Sequence, residues 1–464
     1  MKIRIASKEI IHFIGIGGIG MSGLAQIMKN MGFRIQGSDL VENKNIDKLR
    51  SLGIKVFIGH SKKNIKNISL AVISSAIKIN NEEYAFCKKN KIPTFKRSHM
   101  LANIISLKKN IIVTGSHGKT TTTSLIAHVL VQAGLDPTVI NGGVINSIKN
   151  NAKLGTGDWS VVEADESDGS FLHLPITYSV VTNIDREHLD YYKNFENLKK
   201  SFKTFFDKTP SFGKSFVCID DINIKNILKK KVKNYFTYGK NTKSDFQIIN
   251  IRKQINSSVF DVRVKAFKKK YLIKNININL LGEHNIRNAT AALAISLNLG
   301  IKEKTIKNAL KKFMGIQRRF SHIFSYQKKD FYDDYAHHPT EIKSVLESVK
   351  GVYKKRKIIS VFQPHRYSRV KLLKEEFSKS FIDSDEIVLC PVYAAGEKID
   401  KKFNLVNFGQ KISKNSKKQV VIVNDKTELL KYFIRNLTND EIVVCMGAGS
   451  ISSWLKEISH DLKR

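Results

Sequence analysis

Residues 109–123 read Lys-Asn-Ile-Ile-Val-Thr-Gly-Ser-His-Gly-Lys-Thr-Thr-Thr-Thr. The apolar run Asn110–Thr114 predicts a buried strand. Gly115 and Gly118 mark a turn. A helix should follow, with Leu125, Ile126, Val129, Leu130 and Ala133 on one face, stopped by Gly134 with Pro137 just beyond. A strand, a glycine turn and a helix start make a phosphate cradle, because the first backbone N–H groups and the helix dipole face an anion together. Gly118-Lys119-Thr120 adds a cation for β/γ-phosphates and a hydroxyl for Mg²⁺, which is what a nucleoside triphosphate needs. The general pattern G-x-x-x-x-G-K-[ST] would place its first glycine at position 113, which is Val113, so this loop is shorter. The plainer alternative is a Thr-rich helix start capped by its own hydroxyls.

Upstream, residues 9–14 predict another buried strand, followed by Gly15-Ile16-Gly17-Gly18-Ile19-Gly20 and a helix carrying Leu24, Ile27, Met28 and Met31, with Gly32 at its end. A second strand ends near Asp39, the spacing of an acidic residue in a dinucleotide fingerprint. The motif leaves NAD, FAD and UDP-sugars equally open as the diphosphate. Further strands at Lys55–Ile58 and Leu70–Ser74 complete a doubly wound pattern.

Downstream, strands Trp159–Val162 and Tyr178–Thr182 each run into an acidic stretch. The first is Glu163-Ala164-Asp165-Glu166-Ser167-Asp168; the second is Asn183-Ile184-Asp185-Arg186-Glu187-His188-Leu189-Asp190. Carboxylates crowded this closely need a cation or water. At the carboxyl edge that also carries Lys119, carboxylates with an imidazole suit Mg²⁺ or Mn²⁺. Residues 245–281 alternate polar and apolar, an antiparallel excursion. An Ala-rich helix from Asn288 to Asn298 closes the block. A third α/β block has strands Lys357–Phe362, Glu386–Leu389, Gln419–Val423 and Glu441–Cys445. It contains Asp333-Asp334-Tyr335-Ala336-His337-His338-Pro339 and Gln363-Pro364-His365-Arg366-Tyr367-Ser368-Arg369. His337 either binds substrate or caps a helix; no third spaced ligand supports zinc. Arg366 and Arg369 can grip a carboxylate or phosphate.

The 464 residues allow two to four domains. Lys and Arg number 79 against 41 Asp and Glu, a formal net charge of +38. The lysine runs Lys62–Lys63, Lys108–Lys109, Lys229–Lys231, Lys268–Lys270 and Lys401–Lys402 are dispersed rather than set in one block beside aromatics. Such dispersal speaks to solubility and argues against a nucleic-acid partner. Cys87, Cys218, Cys390 and Cys445 lack C-x-x-C spacing, which excludes a zinc knuckle or disulfide framework and fits a reducing compartment. Met1–Ile10 has no signal-peptide core and no run approaches the ~20 apolar residues of a membrane span, so the expected location is cytoplasmic, with no membrane partner. A nicotinamide-dependent dehydrogenase would explain Gly15–Gly20 but not Lys119. A nucleic-acid-stimulated ATPase would require clustered charge.

The order Gly15–Gly20, Gly115–Thr121, Glu163–Asp168, His188, Gly282–Asn288, Arg319, His337 and Arg366 resembles the Mur ligases, most specifically over His12–Ala25, Gly115–Thr121 and Glu163–Leu172. The resemblance spans the chain. It implies an α/β fold of three domains. These are an N-terminal Rossmann-like UDP-sugar-binding domain (1–108), a central P-loop-type ATPase domain with the antiparallel excursion (109–316), and a C-terminal Rossmann-like amino-acid-binding domain (317–464). It also implies ATP-dependent ligation in peptidoglycan precursor synthesis, with UDP-N-acetylmuramate, L-alanine and ATP as small-molecule substrates and Mg²⁺ or Mn²⁺ as cofactor. The catalytic residues implied are Lys119, Glu163, His188 and Arg319, the last stabilising transferred phosphate. Thr120, Glu163 and His188 would hold metal. Gly115, Ser116, His117, Gly118, Lys119, Thr120, Thr121, Asn285 and Asn288 would bind ATP. Gly17, Gly18, Ile19, Gly20, Met21, Ser22 and Asp39 would face the UDP group, and Tyr335, His337, Arg366 and Arg369 the sugar and amino acid. Ser116 stands where relatives often have Thr, and the basic charge departs from the family's usual acidity. The expected assembly is a monomer or weak homodimer.

Overall fold

The computed structural model describes residues 9–228, 234–438 and 440–462; the Lys229–Lys231 run and residues 1–8 of the Met1–Ile10 stretch lie outside them. Three sheets organise the chain. The first comprises β1 (Ile10–Ile14), β2 (Arg34–Asp39), β3 (Lys55–Ile58), β4 (Leu70–Ile73) and β5 (Thr94–Lys96), in the order β3-β2-β1-β4-β5, all parallel. The chain winds outward from β1 and returns to its other side at β4. The switch point, where open parallel sheets bind ligands, is therefore the carboxyl end of β1 and its glycine turn. Ile11, Phe13 and Ile14 are buried because helices cover both faces. At Gly37, in β2, a Cβ would stand 2.6 Å from Phe13 O and from Ile16 Cδ1, so glycine is what lets the turn pack.

The second sheet adds β6 (Lys109–Thr114), β7 (Thr138–Ile145), β8 (Asn150–Lys153), β9 (Trp159–Glu163), β10 (Tyr178–Val181), β11 (Lys214–Cys218), β12 (Tyr235–Gly239), β13 (Phe246–Gln254), β14 (Ser257–Val264) and β15 (Tyr271–Ile278). Its order is β15-β14-β13-β12-β11-β10-β6-β9-β7-β8. Strand β6 lies between β10 and β9, parallel to both, so its carboxyl end is again a switch point. The links β13–β14 and β14–β15 are too short for a parallel crossover, which makes this end the antiparallel excursion. The helix Lys119–Gln132 is buried from Thr120 to Leu130. The Ala-rich helix spans Glu283–Asn298, five residues earlier than periodicity alone indicates. Gly282, at φ +93, sets its true start; His284 and Asn285 are weak helix formers that hide it.

The third sheet holds β16 (Ser321–Tyr326), β17 (Lys329–Asp334), β18 (Ile358–Phe362), β19 (Glu386–Leu389), β20 (Gln419–Ile422) and β21 (Ile442–Met446), ordered β16-β17-β21-β18-β19-β20. All its pairings are parallel except β16 with β17. Sequence patterning does not mark β5, β7, β8, β11, β12, β16 or β17 as strands. The β16–β17 turn is instructive: Gln327 and Lys328 both adopt positive φ, the geometry normally announced by Asn-Gly, so the usual signal is missing.

The chain forms two compact units. One comprises Met1–Ile251, Phe260–Ile278 and Asn285–Met314; the other comprises Arg252–Val259, Asn279–His284 and Gly315–Arg464. Within the first, the helix Ile19–Asn30 docks on the β7–β8 hairpin. Asn151 Nδ2 donates to Ile19 O at 2.8 Å, Asn150 Nδ2 donates to Gln26 Oε1 at 2.9 Å, and Gly23 leaves room for Asn151. In the second, two apolar clusters cover opposite faces of the third sheet. The four cysteines are free and buried; burial pushes the Cys390 thiol up to about 12. No helix among the described residues is long and apolar enough to cross a membrane.

Candidate functional site

Strand β6 delivers the chain to a loop that only glycine can make. Gly115 has φ +131 and Gly118 φ +81. A Cβ on Gly115 would collide with Thr182 Oγ1, and one on Gly118 would lie 2.7 Å from Asn288 Oδ1. The end of β10 holds the loop. Ser116 N donates to Asn183 O at 3.0 Å and His117 N to Asn183 Oδ1 at 2.8 Å. Thr182 Oγ1 and Asn183 Nδ2 both donate to His117 O, at 2.6 and 2.9 Å, and His117 Nε2 meets Asp185 Oδ2 at 3.0 Å. No side chain caps the helix that begins at Lys119. Its first amides are thus available to an anion. Asn288 Nδ2 donates to Asn285 Oδ1, which keeps that pair beside Gly118. Thr121, also predicted, is buried inside the helix.

Lys119 Nζ donates to Gly115 O (2.6 Å), Ser116 O (3.1 Å) and Glu166 Oε2 (2.7 Å). Burial works against its charge, but Glu166, then Asp165 and Glu187, outweigh it and hold the ammonium above its ordinary range. Glu163, at the end of β9, accepts from Thr120 Oγ1 (3.0 Å) and Gly142 N (2.6 Å); a Cβ at Gly142 would stand 2.8 Å from both carboxylate oxygens. Burial raises the Glu163 carboxyl, only partly offset by Lys119. The structure therefore joins Thr120 to Glu163. It sets His188 in a different group, with Asp165 and Glu166, whose ligand atoms lie within 4.8 Å of one another. His188 has φ +56, and its Nε2 is 3.5 Å from Glu166 Oε1. Burial disfavours its protonated form, yet the Glu166 contact and the charges of Glu187 and Asp165 raise it overall. Glu166 is fully buried, and its Oε1 accepts no hydrogen bond. Asp165 and Glu166 belong to the acidic run, and their direct part beside Lys119 is legible only in three dimensions.

In the first sheet, Gly15 N and Ile16 N both donate to Ser38 O, and Gly17 N donates to Asp39 Oδ2 at 2.8 Å. Gly18 begins the helix without a side-chain cap; Ile19 is partly exposed, and the Arg97 guanidinium lies against Gly20. The side chains of Met21 and Ser22 are buried, with Ser22 Oγ donating to Ile19 O. Below this turn, the fully buried Glu83 carboxylate accepts from His12, His60, Ser38, Ser61 and Asn64.

In the third sheet, Tyr335 and His337 follow β17. The guanidinium carbons of Arg318 and Arg319 lie 4.8 and 5.4 Å from the Tyr335 ring centre, and Arg319 Nη1 is 3.9 Å from Glu341 Oε1. His337 Nδ1 donates to Tyr335 O at 2.9 Å. The helix cap falls instead to His338, which accepts from Thr340 N while Glu341 reciprocates, so His337 is not the cap. After β18, Arg366 stands at φ +67 and Arg369 Nη1 donates to His365 Nδ1 at 3.1 Å. His365 is 5.6 Å from His337 and stacks on Tyr393. Burial, then the charges of His337, Arg369, Arg366 and Arg318, push His365 down to about 3. Sequence patterning does not signal Tyr393 or Arg318, and it carries His365 only as a member of the run Gln363–Arg369.

Two glycine turns at sheet switch points, one of them leading into a lysine held against buried carboxylates, are anion-binding turns of an α/β protein, and sequence comparison places the chain in one family of ligases. Residues 10–109 match the Mur ligase family catalytic domain, residues 113–296 the Mur ligase middle domain, and residues 318–449 the Mur ligase glutamate ligase domain; the chain belongs to the Mur ligase family. It is 55% identical to the UDP-N-acetylmuramate–L-alanine ligase of Pelagibacter ubique, over 99% of both chains. It is 44% identical to that of Rickettsia felis, over 98% of this chain and 96% of the relative. The crystal structure of UDP-N-acetylmuramate–alanine ligase from Thermotoga maritima superposes with a TM-score of 0.83 at 29% identity, covering 98% of this chain and 99% of that one.

Proposed function

We infer that this chain joins L-alanine to UDP-N-acetylmuramate, converting ATP to ADP and phosphate, a step in making the peptidoglycan precursor. The carrying observation is end-to-end likeness at 55% identity to a ligase of that name. In this reaction the sugar's lactyl carboxylate attacks the γ-phosphorus and ADP leaves. The alanine nitrogen then attacks the acyl-phosphate carbonyl, and the tetrahedral intermediate expels phosphate. Phosphoryl transfer of this kind needs positioning and charge neutralisation rather than a covalent nucleophile. Lys119 and the uncapped amides of its loop take the β/γ-phosphates; Asn285 and Asn288 flank the same nucleotide. The Gly17–Gly20 turn takes the UDP diphosphate, and Arg366 and Arg369 the alanine carboxylate. Arg319 stabilises the transferred phosphate.

A divalent cation fits either of two donor groups, the Thr120 hydroxyl with the Glu163 carboxylate or the buried Glu166 Oε1 with Asp165 and His188, and both suit Mg²⁺ or Mn²⁺. Bound there, it would neutralise charge on the transferring phosphoryl group. The deciding experiment measures phosphate release with UDP-N-acetylmuramate, ATP and Mg²⁺, adding each amino acid in turn. L-Alanine should give the highest kcat/KM. Absence of Mg²⁺-dependent ADP formation with all substrates present refutes the proposal, and a clear preference for another amino acid refutes the acceptor assignment.

A further inference from the structure

Arg369, half-buried in the helix after β18, has no carboxylate partner among the described residues. Among the described residues it makes no ion pair; the hydrogen-bonded side chain beside it is His365, whose Nδ1 accepts from Nη1 at 3.1 Å. We propose that His365 is a positioning residue for the amino-acid substrate, a neutral imidazole that aligns the Arg369 fork while leaving its charge whole for the substrate carboxylate. This rests on the reading of Arg369 given above and deepens it.

A guanidinium has five donors and swings on a flexible stem, so a useful carboxylate clamp must be pre-aligned. A protein carboxylate would align it equally well, but would also cancel its charge and compete with the incoming anion. An imidazole lone pair aligns without cancelling, provided Nδ1 carries no proton. Burial among cations favours that form, and two further contacts hold the ring in place. The ring is partly buried among the cationic side chains of Arg369, Arg366 and Arg318, which disfavour an imidazolium. Its plane is set by stacking on Tyr393, with ring centres 5.7 Å apart and planes 15° apart. The residues on either side of His365 are tied to Tyr393 through their backbones: Arg366 N donates to Tyr393 O at 2.9 Å, and Tyr393 N to Pro364 O at 2.8 Å. With the ring thus held, Nδ1 accepts from Arg369 and Nε2 carries the proton.

Three variants of the full-length enzyme test this, each with KM measured separately for alanine, ATP and UDP-N-acetylmuramate. His365→Leu removes the acceptor, and KM for alanine should rise at least tenfold while the other two KM values stay within about twofold. His365→Gln supplies a neutral acceptor and should recover most of the loss. His365→Glu supplies a charged acceptor and should leave KM for alanine as high as the leucine variant does. An unchanged KM for alanine in His365→Leu, or an equal rise in all three KM values with a lowered Tm, overturns the proposal. A glutamate variant as good as glutamine overturns the claim that neutrality matters. If the unsubstituted enzyme fails to use alanine, the functional reading itself falls, which is a distinct result.

Discussion

Replacing Lys119 with methionine should separate two roles that the structure assigns to one ammonium. The first is structural. Lys119 Nζ sits 2.7 Å from the fully buried Glu166 carboxylate, and its loss leaves that carboxylate facing only His188 at 3.5 Å. Removing one partner of a buried pair costs about 3–5 kcal/mol. At roughly 2–4 °C per kcal/mol for a unit of this size, Tm should fall by roughly 6–20 °C. The second role is chemical: loss of a preorganised charge at the transferring phosphoryl group should cut phosphate release by about 10²–10³-fold or more. Adding Glu166→Gln, with Glu166→Gln alone as the control for that carboxylate's own part in cation binding, discriminates between them. The double variant no longer buries an uncompensated charge, so it should recover most of the lost Tm, measured by differential scanning fluorimetry. It should not recover phosphate release in a malachite-green assay. Binding of UDP-N-acetylmuramate, read by calorimetry, should be unchanged in both variants. Phosphate release restored to within tenfold of the parent by the double variant would refute the reasoning, because Lys119 would then serve only to balance Glu166.

Two further outcomes follow from the same geometry. Gly115→Ala places a Cβ at φ +131 against Thr182 and 2.9 Å from Asn183 O, so it should destabilise by about 1–3 kcal/mol and raise KM for ATP; a variant with parental Tm and KM contradicts the assigned loop geometry. Burial alone would raise the Glu83 carboxyl, but hydrogen bonds from His12 and His60 dominate and hold it far below its ordinary range. A depressed carboxyl contributes stability that is present above about pH 4.5 and lost as pH falls. Glu83→Gln should therefore cost on the order of 3 kcal/mol at neutral pH and flatten the acid limb of a Tm–pH profile, and an acid limb as steep as the parent's would disprove it.

Much of the site was legible in the chain because its chemistry is local. A glycine turn, a lysine and a hydroxyl within six residues must fold into one loop, and a parallel strand must place that loop at the sheet's carboxyl edge. The acidic runs after β9 and β10 had to open beside it, since their strands neighbour β6. For the same reason the first turn and Asp39 were legible: Asp39 ends the strand next to β1 and reaches Gly17.

Pairwise partnership was not local, and tertiary structure alone decided it. The family resemblance groups Glu163 and His188 as metal ligands; in the folded chain Glu163 meets Thr120, and His188 meets Asp165 and Glu166. Of two adjacent histidines, His338 took the cap because Pro339 begins the helix and Glu341 stands where it can reciprocate, which turned His337 toward Tyr335 and His365. Composition and periodicity record what a residue is and which face it occupies. They do not record which side chain from a strand fifty residues away arrives opposite it, and the charge, burial and hydrogen bonding of a site depend on that arrival.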